Sequence, residues 1–208
     1  MAIQPVKPQD LTHRGTRRAT PEETMTESYT SGAPFARRTL VQRAIGAARL
    51  DIPTYEEVEA DRDATGQAAV VVAVAAVCSA IGSIGQGTTG MIGGLIMAIV
   101  GWLVWSGVTY LIGTMLFGGT ADWGELLRTI GFAQAPGVLY ILGIIPILGG
   151  PVRIVVMIWI LVAGIVAIRQ ALDVSTGKAV LTAIVGWLAL LIPMMLLGGM
   201  AAMAGVGR

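Results

Sequence analysis

The chain has 208 residues, of which 54% are hydrophobic and 13% charged, with 28 glycines. Soluble domains carry roughly 25% charged residues, so an ordinary water-soluble fold is excluded. The 14 basic and 13 acidic residues nearly balance, so nucleic acid is not an expected partner.

Charge is unevenly placed: 19 of the 27 charged residues precede Ala64, and the 58 positions from Ala64 to Ala121 carry none. A run of about 18 such residues suffices for one transmembrane helix, so this stretch holds two and the turn between them. The expected fold class is all-α, a polytopic bundle of five transmembrane helices behind an amino-terminal cytosolic tail, disordered and then amphipathic. Three regions follow from composition: 1–34, 35–63 and 64–208.

Residues 1–34 mix Pro, Thr, Glu, Arg and Gly without helical or alternating period, and read as a disordered tail. Arg14, Arg17 and Arg18 are diluted there by Glu22, Glu23 and Glu27. The lone histidine, His13, and lone cysteine, Cys78, point to neither a metal site nor an internal disulfide. More than 60 hydrophilic residues precede the first span, which is unlike a cleavable signal, so that span directs insertion itself.

Between Phe35 and Leu50, apolar residues alternate with Arg37, Arg38, Arg43 and Arg49 on a stretch compatible with a helix. It suits a helix on the membrane surface with arginines reaching lipid phosphates. Asp51-Ile52-Pro53 breaks it, and Thr54 with Glu57 has the spacing of a capping box for a second, acidic helix. Glu56, Glu57, Glu59 and Asp61 on that helix either match the neighbouring arginines or form the face that docks a cytosolic protein partner.

The expected spans are 66–84, 91–117, 132–148, 152–172 and 179–200. A glycine-rich turn near Gln86 separates the first two. Gly90, Gly94 and Ala98 recur every four residues, a ridge that lets helix backbones approach closely within the chain or between two copies. At 122–130, Trp123, Leu126, Leu127 and Ile130 share one helical face, and Asp122 with Glu125 can cap its start. This short helix is expected in the interface, anchored by Trp123 and Arg128. Pro136 and Pro146 should kink the third span, and Gly149-Gly150-Pro151 should turn the chain into the fourth. Arg153 and Arg169, at the ends of that span, are expected to snorkel outward.

With the amino terminus inside, twelve Lys and Arg lie on the inner side and two, Arg153 and Arg208, on the outer. Five spans then carry the carboxyl terminus across the membrane. No Asp, Glu, Lys or His falls at the middle of a span, which weighs against an ion-coupled transporter. Gln134, the strongly polar side chain near the two prolines, reads more simply as an interfacial or helix-bonding residue than as a substrate site. No nucleophile with its base, metal-ligand set, phosphate loop or dinucleotide fingerprint is present, so no catalytic residue and no cofactor is expected.

Several segments resemble one family. They are Gly118-Gly119-Thr120-Ala121-Asp122-Trp123-Gly124-Glu125-Leu126-Leu127-Arg128, then Gly131-Phe132-Ala133-Gln134-Ala135-Pro136, then Ile145-Pro146, the Trp159 span and Ser175-Thr176-Gly177-Lys178-Ala179. Their order and spacing resemble the Ypt-interacting protein (Yip) family of five-span membrane proteins. Asp51 to Asp61 and Ala64 to Ala68 are similar to the lead-in of its bacterial members. The resemblance marks Gly131, Pro136, Pro146, Trp159 and Lys178 as family-motif residues. It implies a bacterial plasma-membrane protein; eukaryotic relatives bind Rab-type GTPases, but this tail lacks their aromatic-rich motifs. The expected function is a non-enzymatic membrane adaptor with membrane lipids and a cytosolic protein as partners. The alternatives are a small permease or lipid-handling protein with a cavity around Pro136 and Pro146, and a subunit of a homo-oligomer or larger membrane complex.

Overall fold

The structure, a computed structural model, describes residues 38–84 and 91–189, with 91–95 and 97 described by their backbone alone. The tail 1–34, Arg37, the turn near Gln86, Gly90, the surroundings of Gly94 and the fifth span beyond Ala189 lie outside the described residues.

Helix α1 (Leu40–Ala48) starts at a capping box: Gln42 N donates to Thr39 Oγ1 (3.3 Å) and Thr39 N to Gln42 Oε1 (2.9 Å). Leu50, at φ 62°, turns the chain into α2 (Ile52–Ala60). This second helix starts earlier than the Thr54–Glu57 pattern suggested. Asp51 takes the N-cap position, and Pro53, whose missing N–H and fixed φ suit a first turn, sits inside the helix. Thr54 is therefore buried, and its hydroxyl donates to Asp51 Oδ2 at 2.6 Å.

Among the described residues, four segments are long and apolar enough to cross a membrane. They are α3 (Ala64–Gly82), the 98–117 part of α4 (Met91–Phe117), the run Trp123–Ile144, and α6 (Gly149–Ala171). A shorter apolar helix, Thr176–Ala189, is α7.

The third crossing corrects the sequence reading. The expected interfacial helix, α5 (Trp123–Phe132), does not lie apart from the third span; it continues through Ala133 and Gln134 into a 3-10 segment, Ala135–Ile144. Pro136 removes one backbone N–H and crowds the preceding turn, and the chain resumes with the tighter i→i+3 pattern, beginning with Gly137 N to Gln134 O at 2.8 Å. Pro146 lies in the turn that follows, where Ile147 has φ 71°. Gly149, Gly150 and Pro151, expected to form that turn, are instead the first residues of α6, where proline fits the opening turn. Half of the third crossing's apolar stretch is buried, against a third or less in the others, so it is the centre of the bundle.

Small residues hold this centre to α3. A Cβ on Gly131 would lie 2.7 Å from Ala68 Cβ, one on Gly137 2.8 Å from Ala75 Cβ, and one on Gly143 2.7 Å from Gly82 O. The partners advance together, 68, 75, 82 against 131, 137, 143, so the two crossings run parallel. Over the whole seam, the fourteen α-helical steps from 68 to 82 rise about 21 Å, against about 18 Å for twelve α-helical steps from 131 to 143 and about 22.5 Å for the mixed path, so the change of helix type brings the seam closer to register. Such close approach replaces the hydrophobic drive that lipid does not supply. Elsewhere α6 runs back along the 3-10 segment (Gly149 at Gly143) and α7 back along α4 (Gly186 at Trp105). Ala98, part of the glycine ridge expected on α4, is half-buried.

Replacing Gly82 by Ala should lower the thermal unfolding midpoint of the detergent-solubilised protein, because the new methyl group meets the backbone oxygen of Tyr140. Gly101→Ala, with nothing within 4 Å, should leave it unchanged or raise it slightly. Equal midpoints for the two variants would refute the seam.

Candidate functional site

The polar chemistry gathers where α1 and α2 dock on the bundle. Arg43 is 1% exposed on the inner face of α1. Its Nε donates to Glu57 Oε1 (3.0 Å), its Nη1 to Gln67 Oε1 (3.1 Å) and its Nη2 to Asp61 Oδ2 (2.7 Å). Burial pulls its pKa down, but the hydrogen bonds and charges of Asp61 and Glu57 outweigh this and hold it above the ordinary value. Arg38 adds ion pairs to Asp51 (3.0 Å) and Glu57 (3.3 Å). Of the arginines expected to face lipid phosphates, Arg43 is turned inward to the carboxylates of α2 and its end, Arg38 is exposed but paired with Asp51 and Glu57, and Arg49 is exposed.

A second arginine locks the other end of α2. Arg128, 5% exposed on α5, donates its Nε to the carbonyls of Val58 and Glu59, both at 3.0 Å, and its Nη2 to Glu59 O. These are terminal carbonyls of α2, where a cation satisfies orphan acceptors and suits the helix dipole. The expected interfacial anchor is therefore an internal clamp. Trp123 remains half exposed at the start of α5, whose capping box from Asp122 and Glu125 is present with both bonds at 2.7 Å.

The acidic residues consequently divide. Glu57 and Asp61 are committed to Arg43. Glu56 stays exposed and accepts from Gln170 Nε2 at 3.4 Å; Glu59 is half-buried above Arg128. Burial pushes the Glu59 carboxyl up to about 7, and the charges of Glu125, Asp173 and Glu56 push the same way against Arg128. Glu56, Glu59, Glu125 and Asp173 thus share one acidic surface, built from α2, α5 and the α6–α7 turn. Thr120, donating to Asp173 Oδ2 at 3.4 Å, ties that turn to the start of α5.

The family-motif residues mostly join elements. Gly131 lies in the seam. Trp159 Nε1 donates to Ala48 O (2.7 Å) and fixes the end of α1, and Lys178 Nζ donates to Phe117 O (3.1 Å). Pro136 lines an apolar groove of about 450 Å³, whereas Pro146 does not touch it. Gln134 precedes the 3-10 segment, and Cys78 is buried on α3. Sequence reasoning missed Tyr55, whose buried hydroxyl lies 3.0 Å from Ala47 O and 3.4 Å from Ala163 O, and Gln67. The legible signal for Gln67 was a strongly polar residue opening an otherwise apolar span. Among the described residues, no group of three His, Cys, Asp or Glu could hold a metal ion.

The sequence profile of the Yip1 domain matches residues 51–197, from the N-cap residue of α2 through all four crossings and α7. The chain belongs to the Yip1 domain family. With several membrane-length apolar helices, it is a multi-pass membrane protein. No curated protein and no solved structure matches the chain. The Yip1 domain match begins after α1, so Arg43 and Trp159 bind to the domain a helix that precedes it.

Two predictions follow from this geometry. Arg43→Ala should destabilise the folded protein by about 3 kcal/mol in detergent unfolding, since it removes the buried cation that Glu57 and Asp61 share; adding Glu57→Gln and Asp61→Asn should restore part of that loss. Glu59 has a folded-state pKa above its ordinary 4.5, so the stability it contributes is complete below that value and lost as pH rises through about 7. Glu59→Gln should therefore flatten the pH dependence of the unfolding midpoint across this window and raise the midpoint at alkaline pH. An unchanged slope would show that Glu59 titrates as an exposed carboxylate.

Proposed function

We propose that this Yip1-domain protein is a non-enzymatic adaptor of a bacterial plasma membrane, with its amino terminus in the cytosol and five spans. Arg43, bonded to Gln67 in the first turn of α3, shares one end of the bundle with Arg128 near the start of the third crossing, Arg169 at the end of α6 and Lys178 at the start of α7, whereas Arg153 bonds Ser83 past the other end of α3, which supports a cytosolic side for the α1–α2 end. The observation that carries the adaptor reading is the acidic surface of Glu56, Glu59, Glu125 and Asp173, gathered from three separate elements onto that end. A basic segment of a cytosolic protein is the partner it fits. Opposite charge at such a rim speeds encounter and selects the partner.

The test is photo-cross-linking in native membranes, comparing the full chain with Glu56→Gln combined with Asp173→Asn. Neither residue pairs with Arg43, so the fold should persist, as monitored by the unfolding midpoint. The recovered cross-linked partner should fall by roughly tenfold, the effect of about 1.4 kcal/mol. Full recovery from the double variant would remove the acidic face from the proposal.

A further inference from the structure

We propose that the bilayer is thinned along the side of the bundle that carries α1, to a hydrocarbon layer of about 20 Å against about 30 Å along α4. The partner this side fits is a lipid surface of reduced thickness. The inference rests on the chain crossing a membrane and not on the adaptor reading.

The two heights follow from which large apolar side chains are exposed. Along α4 they run from Ile96 to Leu116, a rise of about 30 Å that matches an ordinary hydrocarbon core. On α3 they run from Val70 to Ile84, about 21 Å. On α6 and the turn before it they run from Ile147 to Val162, of which the helical part, 149–162, rises about 20 Å. Two walls of one side thus agree on the shorter height.

Charge and cover end the short belts. Next to Val70 toward the α1–α2 end, Gln67 is bonded to Arg43 of α1; next to Val162, the Ala163 carbonyl is met by the Tyr55 hydroxyl of α2. At this rim Arg38 and its partner Asp51 are partly exposed, and so is Arg49, which follows the Ala48 carbonyl that Trp159 holds. On α4 the apolar surface continues past that level. Gly113 packs on Leu172, ten residues and about 15 Å beyond Val162 along α6, yet Leu111 and Leu116 beside it are exposed and Met115 is 78% exposed.

No flat boundary satisfies both sides. Drawn at the level of Leu172, it sinks Arg38, Arg49 and Asp51 into hydrocarbon; drawn at Val162, it leaves Leu111, Met115 and Leu116 in water. Tilting the bundle moves both ends of a belt together and leaves the heights unequal. A bilayer does yield to such a mismatch, because charged groups draw water and headgroups inward and thinning costs little per ångström. Thinning confined to the α1 side meets both demands.

The full-length chain, carrying Cys78→Ala so that each label is unique, would be reconstituted in dioleoylphosphatidylcholine vesicles. A nitroxide at Arg49→Cys, Leu111→Cys or Ile147→Cys would be read for collision with oxygen, which concentrates in hydrocarbon, and with a nickel chelate, which stays in water. The label at 49 should report the headgroup region and the label at 111 hydrocarbon, although Leu111 lies nearer the α1–α2 end. The label at 147 should report the headgroup region of the opposite leaflet. Gln42→Cys, exposed on α1, repeats the reading at 49 in a second variant. A label at 49 as deep in hydrocarbon as the one at 111 overturns the proposal, and so does a label at 111 in water. A label at 147 about 10 Å inside hydrocarbon would mean a tilted bundle in a bilayer of full thickness, and overturns it equally.

Discussion

A guanidinium taken out of water at Arg43 must find its carboxylates and its carbonyl within reach, and that demand sets where the amino-terminal helices can sit. Glu57 and Asp61 come from α2 and its end, and Gln67 from the first turn of α3, so satisfying one side chain fixes three helices relative to one another. Neither nine-residue helix would be stable alone in water. Their stability is tertiary: Arg128 closes the terminal carbonyls of α2 from α5, and Tyr55 and Trp159 tie the hairpin to α6. The acidic surface exists because these clamps consume Glu57 and Asp61 and leave Glu56 and Glu59 outward.

The same constraint orders the bundle below. The third crossing is the most buried, and its contact with α3 is made of Ala and Gly, where no side chain keeps the backbones apart. Packing of this kind needs a fixed stagger. A uniform α-helix would advance differently along α3 than the mixed α and 3-10 path that Pro136 imposes, so the proline and the small residues act as one device.

The membrane-embedded character of the chain was legible in the sequence because charge depletion over tens of residues has few other causes. Helix existence, the Asp122–Glu125 cap and the run of family motifs were legible for a similar reason: each is local and periodic. Boundaries near proline were not. Pro53 sits inside α2 rather than before it, and Pro151 inside α6, since proline is compatible with both a break and a first turn. The fate of the arginines was hidden for a deeper reason. A basic and an acidic helix side by side can each face solvent or face the other, and only the placement of Gln67 in space selects the inward solution for Arg43. The groove was invisible for the same reason, being a space between elements that are remote in sequence.

The hairpin's bonds also divide by distance along the chain, and this bears on how the protein is made. Arg43 meets Glu57 and Asp61 within 18 residues, so that pairing is available as soon as both helices leave the ribosome. Tyr55 reaches Ala163, 108 residues on, and Trp159 reaches back 111 residues to Ala48. A part synthesised early is thus seated late: the hairpin, already charge-paired, waits until α6 is made to receive it.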